Sequence, residues 1–173
     1  MKLNDSIMLQ IYSAAAKMGK KYENSNNDWA AGNRDATFVP LLNQTVPKHI
    51  MTFIPGLMGE FCVYETMIEY GYSDFPLPDL TVYTKGTNCV DFNYNGVDIQ
   101  VKCGELLVRT DKVGADIFIF CSNNLLHNEA TILGWISKED LIQLPPQLGK
   151  KHWMNYCPGI YKLRPLSDLF PPK

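Results

Sequence analysis

The hydrophobic positions change period along the chain. Ile7, Ile11, Ala14, Ala15 and Met18 recur at helical spacing and predict an amphipathic helix over 5–18. Residues 20–50 are polar and punctuated by Asn24 to Asn27, Gly32, Pro40 and Pro47, which predicts an irregular connection wrapping the core. A second helix is expected over 56–70, stopped by Gly71, and Pro76 and Pro78 mark the loop after it. Four strand-like runs follow, near 88–94, 97–103, 115–121 and 130–137. Ser137, with Asp140 three residues on, is a natural N-cap for a short helix over 138–143, and a last strand is expected near 160–164. Helices that lead and strands that follow define an α+β fold with a mixed, mainly antiparallel central sheet flanked by helices. Residues 1–50 form its N-terminal helix and wrapping arm, within the same domain as the core over 51–173.

The sharpest local pattern lies between Cys89 and Lys102. Asn95-Gly96 separates two alternating segments, and an Asn-Gly pair suits a two-residue turn because both central residues need positive φ. Counting outward from that turn sets Tyr94 opposite Val97, Asn93 opposite Asp98, Phe92 opposite Ile99, Asp91 opposite Gln100, Val90 opposite Val101 and Cys89 opposite Lys102. One face then carries Val90, Phe92, Tyr94, Val97, Ile99 and Val101, and the other carries Cys89, Asp91, Asn93, Asp98, Gln100 and Lys102. Opposed Cβ atoms stand about 4.5–5.5 Å apart, so Asp91 and Gln100 can offer two oxygens to one small cation, with Lys102 beside them. A solvated polar face would read the same way.

The second helix adds a carboxylate. At about 100° per residue, Leu57, Glu60, Phe61, Val63, Tyr64, Met67 and Ile68 share one arc of roughly 160°, with Glu60 near its middle. A carboxylate in a core-facing stripe costs several kcal/mol unless it is paired or metal-bound. Either Lys102 or an arginine satisfies it, or it joins Asp91 at the hairpin.

Composition narrows the classes. The chain of 173 residues is 46% hydrophobic and 20% charged, as expected of one folded domain, and holds no apolar run of membrane-spanning length. A net charge of −2 excludes a uniformly basic nucleic-acid coat. Residues 1–99 carry 7 basic against 11 acidic groups, whereas 100–173 carry 9 against 7, which permits a local anion-binding face. Five cysteines without a C-x-x-C pair suggest neither a disulfide framework nor zinc; Cys89, Cys103 and Cys121 sit in apolar strand patterns as small hydrophobes. With an N-terminus that turns polar too early for a secretory signal, the expected address is cytoplasmic, with no membrane partner. No Gly-x-x-x-x-Gly-Lys loop or nucleophile elbow is present, so ATP-driven and serine-nucleophile chemistries are not indicated.

Glu60 on a helix, then Asp91, then Gln100-x-Lys102 on a hairpin resembles the PD-(D/E)XK nuclease superfamily. Gly59-Glu60-Phe61-Cys62-Val63 is similar to the first-helix motif of many members, and Val90-Asp91-Phe92 followed by Gly96 to Lys102 to the central hairpin. Ala115 to Phe120 resembles the next core strand, and Ile132 to Leu141 a segment of small, often phage-borne members. The resemblance covers about 56–170. It implies an α/β/α restriction-endonuclease-like core and a metal-dependent deoxyribonuclease, endonuclease rather than exonuclease, serving phage DNA metabolism, repair or recombination in the host cytoplasm. Glu60, Asp91 and Gln100 would hold Mg²⁺, with Mn²⁺ as a substitute, and Lys102 would orient or activate the attacking water and stabilise charge on the phosphate. DNA is the implied partner, with Arg109, Lys112, Lys150 and Lys151 against its phosphates, and a homodimer suits two-strand cutting. The departure is Gln100, where most members have Asp or Glu; it leaves a catalytically inactive nucleic-acid-binding or structural protein of the same fold as the alternative. Asp79, in Pro78-Asp79, also matches the family's name, but Asp91 is preferred because the hairpin count sets it opposite Gln100.

Overall fold

A computed structural model describes residues 1–23, 36–39, 44–47, 51, 53–81, 90–149 and 154–173. Helices α1 (Asp5–Glu23) and α2 (Ile54–Glu69) precede a four-stranded sheet of β3 (Phe92–Tyr94), β4 (Val97–Cys103), β6 (Ile117–Asn124) and β7 (Glu129–Ser137). The sheet is mixed: β3 and β4 are antiparallel, β4 and β6 parallel, β6 and β7 antiparallel, in the order β3-β4-β6-β7. A small second sheet joins β5 (Val108–Arg109), β9 (Met154–Tyr156) and β8 (Gln147–Leu148), and two further short helices are α3 (Lys138–Ile142) and α4 (Leu166–Leu169).

The apolar run at β6 is continuous because both of its faces are covered. Ile117, Ile119 and Cys121 pack with Val63 and Met67 of α2, while Phe118 and Phe120 pack with Val108 and Leu141 on the far side. Helix α2 lies across β4, β6 and β7, and α1 packs on α2 through Ile7, Met8, Ile11 and Ala15. Two signals act as the sequence indicates. Past the end of α2, Tyr72 N–H donates to the Met67 carbonyl and Gly71 N–H to that of Ile68, a Schellman closure. Ser137 Oγ accepts from Asp140 N–H at 3.1 Å and caps α3.

Several expectations change. Helix α1 continues past residue 18 to Glu23, and the connection expected to be irregular contains a hairpin of β1 (Ala36–Val39) and β2 (Gln44–Pro47). The strand expected near 160–164 is a 3₁₀ turn, Ile160–Lys162, entered through Gly159 at φ 63°; only Arg164 reaches a strand, bridging Trp135. The strand expected over 88–94 is Phe92–Tyr94, residues 88 and 89 lying outside the described ones. Among the described residues no helix is long and apolar enough to cross a membrane.

Candidate functional site

The turn of the central hairpin is the expected one. Asn95 and Gly96 have φ of 52° and 79°, and Tyr94 opposes Val97, Asn93 opposes Asp98, and Phe92 opposes Ile99. The one-to-one count stops there. Asp91 N–H donates to the carbonyl of Ile99, the residue already opposite Phe92, so two residues of the first strand meet one of the second. The irregularity reverses the alternation: Phe92 packs on the α2 side of the sheet and Val90 on the far side, although an unbroken strand would put both on one face. The expected pairs Asp91 with Gln100 and Val90 with Val101 are therefore not formed, and Cys89 lies outside the described residues.

Asp91 reaches β4 by another route. Its Oδ2 accepts Val101 N–H at 2.7 Å, so a carboxylate takes a backbone amide of the neighbouring strand. Val101 sits between Gln100 and Lys102, which flank the Asp91 carboxylate along the chain. In the parallel register Gln100 neighbours Phe118 and Lys102 neighbours Phe120, so both leave β4 on the face away from α2. Glu60 comes from the other side. Gly59 lets the helix lie against β4: a methyl group there would fall 2.8 Å from Cys103 Cβ and 3.1 Å from Val101 Cγ1. The following residue, Glu60, is thereby carried to the same stretch of strand. The polar face of the hairpin does not turn toward α2, as the alternation had suggested; helix, strand start and β4 meet around Val101 instead.

Glu60 and Gln100, which lie on opposite sides of β4, are both buried and incompletely paired. Glu60 is 7% exposed and Gln100 3%, and Glu60 Oε2 and Gln100 Oε1 have no hydrogen-bond partner among the described residues. Burial raises the Glu60 carboxyl well above the usual carboxylate range, and the charges of Asp91 and Asp79 push it the same way. Burial also raises Asp91, opposed by the Val101 N–H and by the Lys102 ammonium. A buried carboxyl that a neighbouring carboxylate raises further, with an oxygen that lacks a donor, makes a place short of positive charge. A hard divalent cation that takes oxygen ligands fits this donor set. Among the described residues no three His, Cys, Asp or Glu side chains form a group that could hold a metal ion.

The remaining expected contacts are placed as follows. Arg109, on β5, makes a two-point ion pair with Asp111, Nε to Oδ1 at 2.9 Å and Nη2 to Oδ2 at 2.6 Å. Lys112 ends the exposed 3₁₀ turn Thr110–Lys112. Lys150 and Lys151 lie outside the described residues. A cavity of about 460 Å³ lies elsewhere, between Cys62 and Thr66 of α2, Tyr70 just past its end and residues 131–134 of β7, and none of Glu60, Asp91, Gln100 and Lys102 lines it. Asp79, set aside on the sequence, comes close enough for its charge to act on Glu60; the spacing of Pro78-Asp79 alone gave no means of locating it. No family model matches the chain, and no curated protein or solved structure is significantly similar to it.

Proposed function

We propose that the chain is a Mg²⁺-dependent deoxyribonuclease of restriction-endonuclease-like architecture, hydrolysing DNA phosphodiester bonds. The observation that carries this reading is the meeting of Glu60 and Asp91 with Lys102 nearby, at a site where buried oxygens of Glu60 and Gln100 lack partners. Glu60, the second oxygen of Asp91 and the Gln100 amide oxygen would hold the cation. When bound, Mg²⁺ supplies Lewis acidity toward a phosphate oxygen and makes water a better nucleophile. The chain's own part is positional. Val101 N–H fixes the Asp91 carboxylate, Gly59 sets the depth at which Glu60 enters, and Lys102 directs an ammonium toward the attacking water and the phosphate. In-line attack of water on phosphorus then expels the sugar oxygen.

Gln100 favours a second reading, a nucleic-acid-binding protein of the same fold without catalysis, because an amide ligates without adding charge. Nicking of supercoiled plasmid in Mg²⁺, Mn²⁺ or EDTA separates the two. Metal-dependent cleavage should fall by at least about a hundredfold in Asp91→Asn and Lys102→Ala. Asn at 91 still offers Val101 N–H an acceptor, so that loss would report chemistry rather than folding. Wild-type silence on plasmid, branched and single-stranded DNA, with activity gained in Gln100→Glu, would mark a decayed enzyme. Silence in both, with salt-sensitive DNA binding, would establish the second reading.

A further inference from the structure

Strand β7 is the last of the four-stranded sheet, and its outer edge is paired only in part. At one end residues 1–3 lie along it, antiparallel. Leu3 N–H donates to the Asn128 carbonyl at 2.8 Å, Ala130 N–H to the Met1 carbonyl at 3.0 Å, and the Met1 amine to the Ala130 carbonyl at 2.7 Å. At the other end Trp135 and Arg164 exchange both backbone hydrogen bonds, each 2.9 Å, and Pro165, which has no N–H, then ends the pairing before α4. Ala130 turns both of its backbone groups outward, so alternation turns those of Ile132 outward as well. Cys121, opposite Ile132, agrees: its carbonyl accepts Gly104 N–H on the far side of β6. Among the described residues no backbone group meets Ile132 on its outer side, and its N–H turns to the Cys62 thiol, a weak acceptor. One ladder position is therefore left unpaired between two paired stretches.

That position opens on the cavity of about 460 Å³. From Ala130 to Trp135 the edge measures about 15 Å at strand rise, the length of three or so residues of extended chain. Ile132 is half-buried and packs on the α2 side, so a residue set opposite it would send its side chain the same way, onto Thr66 and Tyr70. We propose that the edge of β7 between Met1 and Arg164 is a docking site for a short extended segment of a protein partner, which adds as an antiparallel strand, pairs its backbone with Ile132 and seats an apolar side chain against Thr66 and Tyr70. The added strand runs in the direction of Met1 to Leu3 and continues a line that the protein already holds at both ends. Main-chain hydrogen bonds supply affinity in such additions, and the pocket selects the side chain. A compact apolar ligand would fill the cavity but leave the backbone of Ile132 unanswered, and this favours a peptide.

Titration of the isotope-labelled full chain with the blocked tripeptide acetyl-Ser-Val-Ser-amide, followed by nuclear magnetic resonance, tests the site. The Ile132 amide should shift saturably and exchange its hydrogen more slowly when the peptide is bound. The same tripeptide N-methylated at its valine has no donor for the Ile132 carbonyl and should bind at least about tenfold more weakly. Thr66 Oγ1 bonds only within α2, to the Cys62 carbonyl at 2.8 Å, so Thr66→Met should keep the fold while filling the floor of the cavity, and should weaken binding by a similar factor. Equal binding of the two peptides overturns strand addition and leaves a cavity for apolar molecules. A folded protein whose Ile132 amide responds to neither peptide overturns the site. Self-association that protects Ile132 as protein concentration rises overturns the partner, giving the edge to a second copy.

Discussion

The two ends of β3 obey different rules. At the turn end Asn95-Gly96 closes the ladder, each residue has one partner, and Tyr94 Oη donates to Asp74 at 2.8 Å while its ring packs on Phe75 and Phe170. At the other end the ladder stops, a carboxylate takes an amide of the neighbouring strand, and buried oxygens of Glu60 and Gln100 go unpaired. The first end is arranged for stability. The second gathers buried polar groups that oppose stability while they lack a positive partner.

Breaking the ordered end should have the largest effect. Phe75 is 4% exposed and stands within 5.0 Å, centroid to centroid, of both Phe92 and Tyr94. Phe75→Ala should cost about 3–5 kcal/mol, read from urea unfolding of the metal-free protein. A cost under 1 kcal/mol would mean that the aromatic cluster does not hold the hairpin to the end of α2.

Removing the carboxylate at the other end should do the reverse. Glu60 is raised by burial and then by Asp91 and Asp79, so folded protein binds more protons there than unfolded chain. The stability this group gives is therefore full below the usual carboxylate range and is lost as pH rises through the raised folded value; Asp91, also raised by burial, acts in the same direction. In EDTA, Glu60→Gln should match the wild type near pH 4 and exceed it by about 1–2 kcal/mol near pH 8, roughly 2–4 °C in Tm for each kcal/mol. Saturating Mg²⁺ should stabilise the wild type more at pH 8 than at pH 5 and the variant less than the wild type at either. A variant less stable than the wild type at pH 8 without metal would show that the carboxylate is satisfied by the protein itself.

The same contrast explains what was legible. The boundaries of β4, the hairpin register from Tyr94 to Phe92, the stop at Gly71 and the cap at Ser137 each follow from a local rule with a residue type attached, and the helical arc of α2 located Glu60. Strands of two to four residues, such as β5, β8 and β9, carry no period to read, and β1 and β2 hide in a polar stretch. The departure at Asp91 was illegible because counting outward from a turn assumes an unbroken ladder. Counting set Asp91 opposite Gln100, a pairing that does not form; its carboxylate takes Val101 N–H instead, and its charge acts on Glu60 from there. The effect of Asp79 on Glu60 depends on tertiary placement, which the Pro78-Asp79 pair does not encode.

The smallest effect should come from the turn itself. Gly96 holds φ at 79°, and a methyl group there would meet nothing within 4 Å, so substitution perturbs backbone conformation alone. Gly96→Ala should therefore cost about 1–2 kcal/mol, the penalty for a Cβ in the left-handed region. Mn²⁺ affinity should stay at the wild-type value, because Tyr94, Asn93 and Phe92 keep their partners and the irregular end is anchored separately by Asp91 on Val101. Measuring stability and Mn²⁺ binding on this one variant tests whether the two ends of β3 are independent. Loss of affinity in step with stability would show that the turn sets the position of Asp91, and that the carboxylate's hold on β4 is a consequence of the register rather than its replacement.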